Sequence, residues 1–305
     1  MRNVKWIGVY PAVTTKFKEN GDLDIPMFLK NIAFQVEAGV DGIVVGGSLG
    51  ESSTLTHAER LEITKATLDH VGDKVDVILN IAEGSTKAAK ELAKQAEEIG
   101  AHGLMLLPPM MYKPTDQEVA DYFRAVATST KLPIMLYNNP VDYKIEVTLE
   151  IFEQLQDLEN IQAVKESTRD ISNVTRMKNK FGDRFRILCG VDTLAMEELL
   201  MGADGWVAGL VDAFPQETVA VYRYVKAGRI EEALKIYRWF LPILELDINP
   251  QLVQNIKLAE VMTGIGTEHV RAPRHVLVGE ERERVIGILE KGLANRPELG
   301  NYLEA

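Results

Sequence analysis

One two-part pattern repeats along the chain: a short apolar, β-branched run is followed by a longer stretch in which apolar residues have helical spacing. The runs with strand character are Ile7–Val13, Gly42–Gly46, Val75–Ile81, Gly103–Leu107, Pro133–Tyr137, Ile161–Lys165, Arg186–Gly190 and Gly205–Gly209. Several are continuously apolar, which is typical of parallel strands buried on both faces. Eight such units, in about the ~250 residues that this fold uses, predict an α/β (β/α)₈ TIM barrel.

Helix signals lie between these strands, where the pattern requires them. Thr56 with Glu59 and Thr115 with Glu118 have the spacing of capping boxes, and Gly39 directly follows a helical stretch. An open doubly wound sheet has the same periodicity, so the alternation alone leaves that alternative open. The Gly-x-Gly-x-x-Gly turn of dinucleotide-binding sheets is absent after the first strand, which favours the barrel.

Strand-like runs stop after residue 228, and only helical patterns follow. They cover Arg229–Glu245, Pro250–Thr263 and Glu280–Ala294. We therefore predict a catalytic barrel over residues 1–228 and a C-terminal helical extension over residues 229–305.

Composition limits the classes of partner. A net charge of −11 disfavours binding to nucleic acid and to anionic membranes, and no apolar run is long enough to cross a bilayer. The N-terminus has no signal-peptide core, and the single cysteine, Cys189, excludes an internal disulfide. The five histidines form neither His-x-x-x-His nor Glu-x-x-His. We expect a cytoplasmic protein with no metal site.

Two polar residues end neighbouring predicted strands. Active sites of (β/α)₈ enzymes lie at the C-terminal ends of the strands, and Lys165 and Tyr137 occupy such positions. Burial there would lower the pKa of the lysine and leave a nucleophilic amine, while a nearby phenol could move protons during imine formation. Each residue alone has a plainer interpretation: a lysine can extend from the rim into solvent, and a tyrosine can simply pack in the core.

Two glycine-containing turns follow other strands at the same predicted rim. In Gly46–Glu51 two glycines precede Ser48, so backbone N–H groups and the serine hydroxyl could hold a carboxylate, although a plain turn would look similar. Gly190 follows the seventh strand, close to Asp192, which could equally be a helix N-cap. Cys189 at this rim is predicted to be a buried, inert thiol.

Three motifs occur in order at these strand ends: Gly-Gly-Ser-Leu-Gly-Glu (46–51), Leu-Tyr-Asn-Asn-Pro (136–140) and Val-Lys-Glu-Ser (164–167). Together they resemble the dihydrodipicolinate synthase/N-acetylneuraminate lyase family of class I aldolases. The resemblance covers the barrel, and the helical tail is in keeping with it. It implies a small 2-oxo acid or derived cyclic imine as substrate, no cofactor, and a homotetramer built from tight dimers.

The resemblance also implies roles for individual residues. Lys165 would form the Schiff base, and Tyr137 would donate and accept protons. Ser48, with the backbone around Gly47 and Leu49, would bind the substrate carboxylate. Val207 on the eighth strand would line the pocket of the 2-oxo acid. Gly190 is a further candidate for substrate binding from its position after the seventh strand alone.

Three positions depart from the synthase pattern. Leu49 stands where the synthase and the sialate lyase have a threonine of the proton relay, and Asp142 stands where the synthase has an arginine for a second carboxylate. Met110 and Met111 replace a tyrosine pair, for which Tyr112 is a partial substitute in a different register. These differences argue against dihydrodipicolinate synthase, and less firmly against sialate lyase.

A different branch of the family resembles this chain in Tyr10–Phe17, in the apolar residue of the Gly-x-x-Gly-Glu loop and in Leu107–Met110. This branch is 1-pyrroline-4-hydroxy-2-carboxylate deaminase. The expected function is therefore deamination and dehydration of that cyclic imine to 2-oxoglutarate semialdehyde, in hydroxyproline degradation. Two alternatives stay open: an aldolase or dehydratase for a 2-oxo-3-deoxy sugar acid or sialic acid, and a ligand-sensing barrel without catalysis.

Overall fold

The predicted barrel is confirmed by the computed structural model, which describes residues 3–305. Its strands are β1 Gly8–Pro11, β2 Gly42–Val45, β3 Asp76–Ile81, β4 Gly103–Leu106, β5 Ile134–Asn138, β6 Ile161–Glu166, β7 Arg186–Cys189 and β8 Gly205–Ala208. They form one parallel sheet in the order β1-β8-β7-β6-β5-β4-β3-β2. Ala12, just beyond β1, pairs in parallel with Val44 of β2, so the two ends of the sheet meet. The open-sheet alternative is therefore wrong.

Helices alternate with the strands and continue after the barrel. They are α1 Ile25–Glu37, α2 His57–Val71, α3 Thr86–Glu98, α4 Asp116–Ala127, α5 Pro140–Tyr143, α6 Leu149–Leu155, α7 Ser172–Phe181, α8 Ala195–Leu200, α9 Pro215–Lys226, α10 Ile230–Leu244, α11 Leu252–Met262 and α12 Gly279–Ala294. Both predicted capping boxes are present, at the N-termini of α2 and α4. The short α5, directly after β5, was not predicted.

The last three helices confirm the predicted helical tail. Buried residues such as Phe240 of α10 and Ile256 of α11 belong to the same hydrophobic core as the barrel strands. The division at residue 228 stays a prediction, because the helices on either side of it pack against each other. Within residues 3–305, no helix is long and apolar enough to cross a membrane.

A buried ion pair connects the helical tail to the loop after β2. Lys257 Nζ of α11 lies 2.6 Å from Glu51 Oε1, and both side chains are fully buried. The same amine donates to the His269 carbonyl at 2.6 Å, and the Arg271 backbone N–H donates to Glu51 Oε2 at 3.1 Å. Burial lowers the pKa of Lys257 to about 8, against the opposing effect of Glu51. The tail thus holds the end of the Gly46–Glu51 loop in place.

Breaking this pair should destabilise the fold. In Lys257→Met the buried Glu51 carboxylate loses its nearest cation and keeps only Arg274, whose Nη1 lies 3.7 Å from Glu51 Oε2. Breaking a buried pair typically costs ~3–5 kcal/mol of unfolding free energy, and because Arg274 remains we expect a loss at the lower end, about 3 kcal/mol. The double variant Lys257→Met/Glu51→Gln should recover part of that loss, because the charge left behind is removed. Urea unfolding followed by circular dichroism measures both.

The matched control is Lys65→Met, which breaks the exposed Lys65–Asp69 pair of α2 and should change stability little. If Lys257→Met is as stable as this control, the buried pair does not anchor the loop.

Candidate active site

A cavity of about 240 Å³ opens at the C-terminal ends of the strands. The sequence-predicted site residues among its lining are Gly47, Ser48, Leu49, Tyr137, Lys165, Gly190 and Val207. They lie in, or directly after, five strands of the barrel: β2, β5, β6, β7 and β8. The closed sheet brings them together. Tyr112, the remaining predicted residue, is not part of this lining.

Lys165 and Tyr137 face each other across neighbouring strands. The two residues are register partners in the β5–β6 pairing, and Lys165 Nζ lies 4.4 Å from the centroid of the Tyr137 ring. Lys165 is only 8% exposed, so it does not extend into solvent as the plainer interpretation required. Burial lowers the pKa of Lys165, which increases the neutral, nucleophilic fraction of the amine at a given pH.

The Tyr137 hydroxyl is held by a neighbouring amide. Asn139 Nδ2 donates a hydrogen bond to Tyr137 Oη at 3.1 Å. Burial raises the pKa of Tyr137 to about 12, although this hydrogen bond opposes the shift. The phenol is therefore protonated near neutral pH and can act as a proton donor.

The turn after β2 has the geometry that its glycines predict. Gly46 has a φ of +67°, and a Cβ on Gly50 would lie 2.8 Å from the Val13 carbonyl oxygen, so a side chain would clash there. The turn exposes Ser48 to the cavity and buries Leu49. Ser48 Oγ forms a hydrogen bond with Tyr143 Oη, a partner that the sequence analysis did not anticipate.

Gly190 leaves room for the alkyl chain of Lys165. A Cβ at position 190 would lie 2.7 Å from Lys165 Cγ and Cε, and 2.1 Å from Ser167 Oγ. The bare backbone at this point therefore permits the lysine to reach the centre of the cavity.

The charge at position 142 is balanced by a residue that the sequence analysis missed. Arg169, in the loop after β6, lies 3.7 Å from Asp142 (Arg169 Nη2 to Asp142 Oδ1), and both residues line the cavity. Asp247, from the connection between α10 and α11, also lines the cavity, and burial raises the pKa of its carboxyl well above the usual range. Asp142 thus does not present an unopposed negative charge to a substrate carboxylate.

Two residues at the rim are placed differently from the expectation. Tyr112 is 53% exposed and is not part of the cavity lining of this chain, so its role in substrate binding stays a prediction. Asp192 is not a helix N-cap: its buried carboxylate accepts hydrogen bonds from the Trp206 indole and from the backbone N–H groups of Gly209 and Leu210, which fixes the end of β8. The expectation for Cys189 holds, since the thiol is fully buried and burial raises its pKa.

The sequence signal for the missed residues was weak. Tyr143 lies three residues after the motif proline Pro140, and Arg169 lies two residues after the Val-Lys-Glu-Ser motif. Both follow strands that end at the site, so they could have been considered on position alone. Asp247 lies in a helical connection that has no such positional rule. Among the residues that the structure describes, no group of three or more histidine, cysteine, aspartate or glutamate side chains is placed to hold a metal ion.

Fold and site together define an imine-forming (β/α)₈ lyase, and the comparisons with known proteins agree. The chain matches the dihydrodipicolinate synthetase family over residues 5–291 and belongs to that family. The 4-hydroxy-tetrahydrodipicolinate synthase of Moorella thermoacetica is 30% identical over 288 residues, 94% of this chain and 99% of that protein. The synthase of Desulforudis audaxviator is 32% identical over 289 residues, 93% and 96% of the two chains.

Solved structures show the same relationship. The dihydrodipicolinate synthase of Bacillus anthracis matches with a TM-score of 0.91 and 28% identity, over 97% of this chain and 100% of that one. The synthase of Aquifex aeolicus matches with a TM-score of 0.89 and 28% identity, over 93% and 97% of the two chains.

These relatives contradict the functional interpretation of the sequence. They are named as the synthase that the three departures had argued against, and a specific closeness to 1-pyrroline-4-hydroxy-2-carboxylate deaminase is not shown. The physical reason for the error is visible at Asp142, whose charge had been weighed without Arg169. The sugar-acid and sensor alternatives gain no support either. The homotetramer and the cytoplasmic location stay predictions.

Proposed function

We propose that this chain is a Schiff-base lyase that joins a small 2-oxo acid, such as pyruvate, to an aldehyde, which is the reaction type of the synthases it resembles. The observation that carries the proposal is Lys165: a buried amine with a lowered pKa, 4.4 Å from the centre of the Tyr137 ring, in a cavity at the strand ends. A buried, neutral lysine amine beside a phenol is suited to forming an imine with a carbonyl substrate.

The chemistry follows from the amine. Lys165 Nζ attacks the ketone carbon, and the Tyr137 phenol donates the proton with which the carbinolamine hydroxyl leaves as water. The protonated imine withdraws electrons from the adjacent carbon, which loses a proton and becomes a nucleophilic enamine. That carbon forms the new bond to the aldehyde carbon, the aldehyde oxygen takes up a proton, and water then releases Lys165.

The turn after β2 would bind the carboxylate of the 2-oxo acid. Ser48 and the backbone N–H groups beside Gly47 supply hydrogen-bond donors, while Leu49 and Val207 give the cavity apolar walls. This assignment is supported by the exposure of Ser48 to the cavity.

Arg169 is the candidate for binding a carboxylate on the aldehyde. Its guanidinium, the group that best fits a carboxylate, lines the cavity beside Asp142, which occupies the position of the synthase arginine. Arg169→Met should raise KM for a carboxylate-bearing aldehyde roughly tenfold. This is the lower end of the effect expected from losing a charge-assisted hydrogen bond, because the arginine is partly exposed. The KM of a neutral aldehyde should not change.

The control is Arg124→Met, which removes the same charge from the outer surface of α4, where Arg124 pairs with Asp157. If Arg169→Met changes the KM of charged and neutral aldehydes equally, Arg169 does not bind the carboxylate of the aldehyde.

A pyruvate-consumption assay tests the proposed function. Pyruvate is incubated with the protein and a panel of aldehydes, aspartate semialdehyde among them, and its methyl signal is followed by proton NMR. We expect consumption of pyruvate that depends on both the protein and an aldehyde. If no aldehyde leads to consumption, the carbon–carbon bond-forming function is wrong.

A further inference from the structure

One carboxylate of the cavity lining has no partner in the fold. Asp247, in the connection between α10 and α11, lines the cavity together with its neighbour Ile248. None of the hydrogen bonds and ion pairs formed among residues 3–305 includes its carboxylate. Asp142, the other carboxylate of the lining, has Arg169 beside it. Asp247 is therefore the carboxylate that is free to act on a bound substrate.

The backbone at the end of β8 makes room for this carboxyl group. A Cβ at Gly209 would lie 2.6 Å from Asp247 Oδ1 and 3.3 Å from Asp247 Cγ. The position of Gly209 is itself fixed, because its backbone N–H donates to the Asp192 carboxylate at 3.1 Å. A residue without a side chain at this point thus lets Asp247 approach the end of β8.

The closed sheet defines where a bound 2-oxo acid lies relative to Asp247. Strand β8 is two strands away from β6, which carries Lys165, and two strands away from β2, whose turn holds Ser48. A 2-oxo acid that is bonded to Lys165 and has its carboxylate at that turn spans the barrel between β6 and β2. Because the imine carbon is planar, its third substituent, the methyl group of pyruvate, points to one side of this line.

The two sides differ in chemistry. On the side of β4 the lining is the thioether side chain of Met105, which cannot take up a proton near neutral pH. On the side of β8 the lining includes Val207 and, beside Gly209, the Asp247 carboxyl group. The methyl group can therefore meet a proton acceptor on the β8 side.

Asp247 and Lys165 influence each other's charge. Burial raises the pKa of Asp247 well above its usual range and lowers the pKa of Lys165, and each group opposes the shift of the other. A protonated imine on Lys165 carries a positive charge, which favours the Asp247 carboxylate, and the neutral enamine removes that charge. The carboxyl group is thus a base when a proton must be removed and an acid when a proton must be returned.

Tyr137 is less suited to removing a proton from carbon. Burial raises the pKa of Tyr137 to about 12, so the phenol is a proton donor near neutral pH and little phenolate is present. A carboxyl group whose pKa is raised towards the working pH is a stronger base than an ordinary carboxylate and still ionises.

We propose that Asp247 is a catalytic residue that removes the proton from the carbon next to the imine and later returns it to the aldehyde oxygen. The proposal rests on the proposed function. In the first step the carboxylate takes a proton from the methyl carbon, the electrons of the C–H bond form the double bond of the enamine, and the imine nitrogen takes up the electrons of the C=N bond. In the second step the enamine carbon attacks the aldehyde carbon, the nitrogen lone pair restores the C=N bond, and the Asp247 acid gives its proton to the aldehyde oxygen. One proton moves from carbon to oxygen, and the carboxylate is regenerated.

Exchange of the pyruvate methyl protons in D₂O tests the first step without any aldehyde. Protein and saturating pyruvate are mixed in D₂O, proton NMR follows the loss of the methyl signal, and borohydride trapping measures the imine on Lys165 in the same sample. We expect Asp247→Asn to slow the exchange on the order of 10²-fold. The fraction trapped on Lys165 should equal that of the wild type, which shows that the site is still assembled.

Two further variants separate the chemistry from a structural effect. Glu245→Gln removes an exposed carboxylate at the C-terminal end of α10, two residues before Asp247, and should exchange at the wild-type rate. Gly209→Ala should slow the exchange, because its methyl group would displace the Asp247 carboxyl group. The double variant Gly209→Ala/Asp247→Asn should be no slower than the slower single variant, because both changes act through one group.

Methyl exchange at the wild-type rate in Asp247→Asn would overturn the assignment, and so would a double variant whose loss is the product of the two single losses. A wild-type protein that forms no adduct, or that forms it without methyl exchange, would instead overturn the proposed function.

Discussion

Alanine in place of Lys165 should give a folded protein without turnover. The imine needs a primary amine at this point, and no other cavity-lining residue is a lysine. Lys165 Nζ lies over the Tyr137 ring and burial disfavours its charged form, so we expect the melting temperature to change by only a few degrees. Lys165→Arg should be equally inactive, since a guanidinium stays protonated and is not a nucleophile.

Pyruvate consumption and thermal unfolding measure the two parts of this expectation. Turnover by Lys165→Ala above the rate without protein would show that the reaction does not pass through a covalent bond to this lysine.

Phenylalanine in place of Tyr137 should have the second-largest effect on activity. The ring that faces Lys165 Nζ is retained, and only the hydroxyl held by Asn139 is lost. We expect kcat to fall on the order of 10²–10⁴-fold, the usual contribution of general acid–base catalysis, with little change in KM for the 2-oxo acid. Steady-state kinetics measure both constants.

Tyr122→Phe is the control, because it removes a buried phenol hydroxyl from α4, outside the cavity lining. A Tyr137→Phe enzyme within a few-fold of wild-type kcat would assign the proton transfer to another group.

The sequence was informative where a local rule determines the structure. The alternation of short apolar runs with helical stretches predicted the eight barrel strands, and the capping pairs at Thr56 and Thr115 predicted the starts of α2 and α4. Lys165 and Tyr137 could be found because each ends a strand, and strand ends define the site of a (β/α)₈ barrel. The predicted order places their strands next to each other, and the observed register pairs Tyr137 with Lys165.

The sequence was uninformative where contacts depend on loops. Arg169 and Asp142 are 27 residues apart and follow different strands, so no periodicity indicates that they meet. Tyr143 and Ser48 are 95 positions apart, and they meet because α5, directly after β5, and the turn after β2 both contribute to the cavity lining. The mistaken deaminase interpretation arose here: substitutions at the cavity rim were judged one at a time, without the neighbours that compensate them.

Borohydride reduction of the wild-type protein in the presence of pyruvate tests the central claim most directly. Intact-mass measurement counts the adducts, and peptide mapping locates them. We predict one reduced pyruvate adduct per chain, on Lys165, and none without pyruvate. No adduct, or an adduct on another buried lysine such as Lys16 or Lys257, would contradict the account.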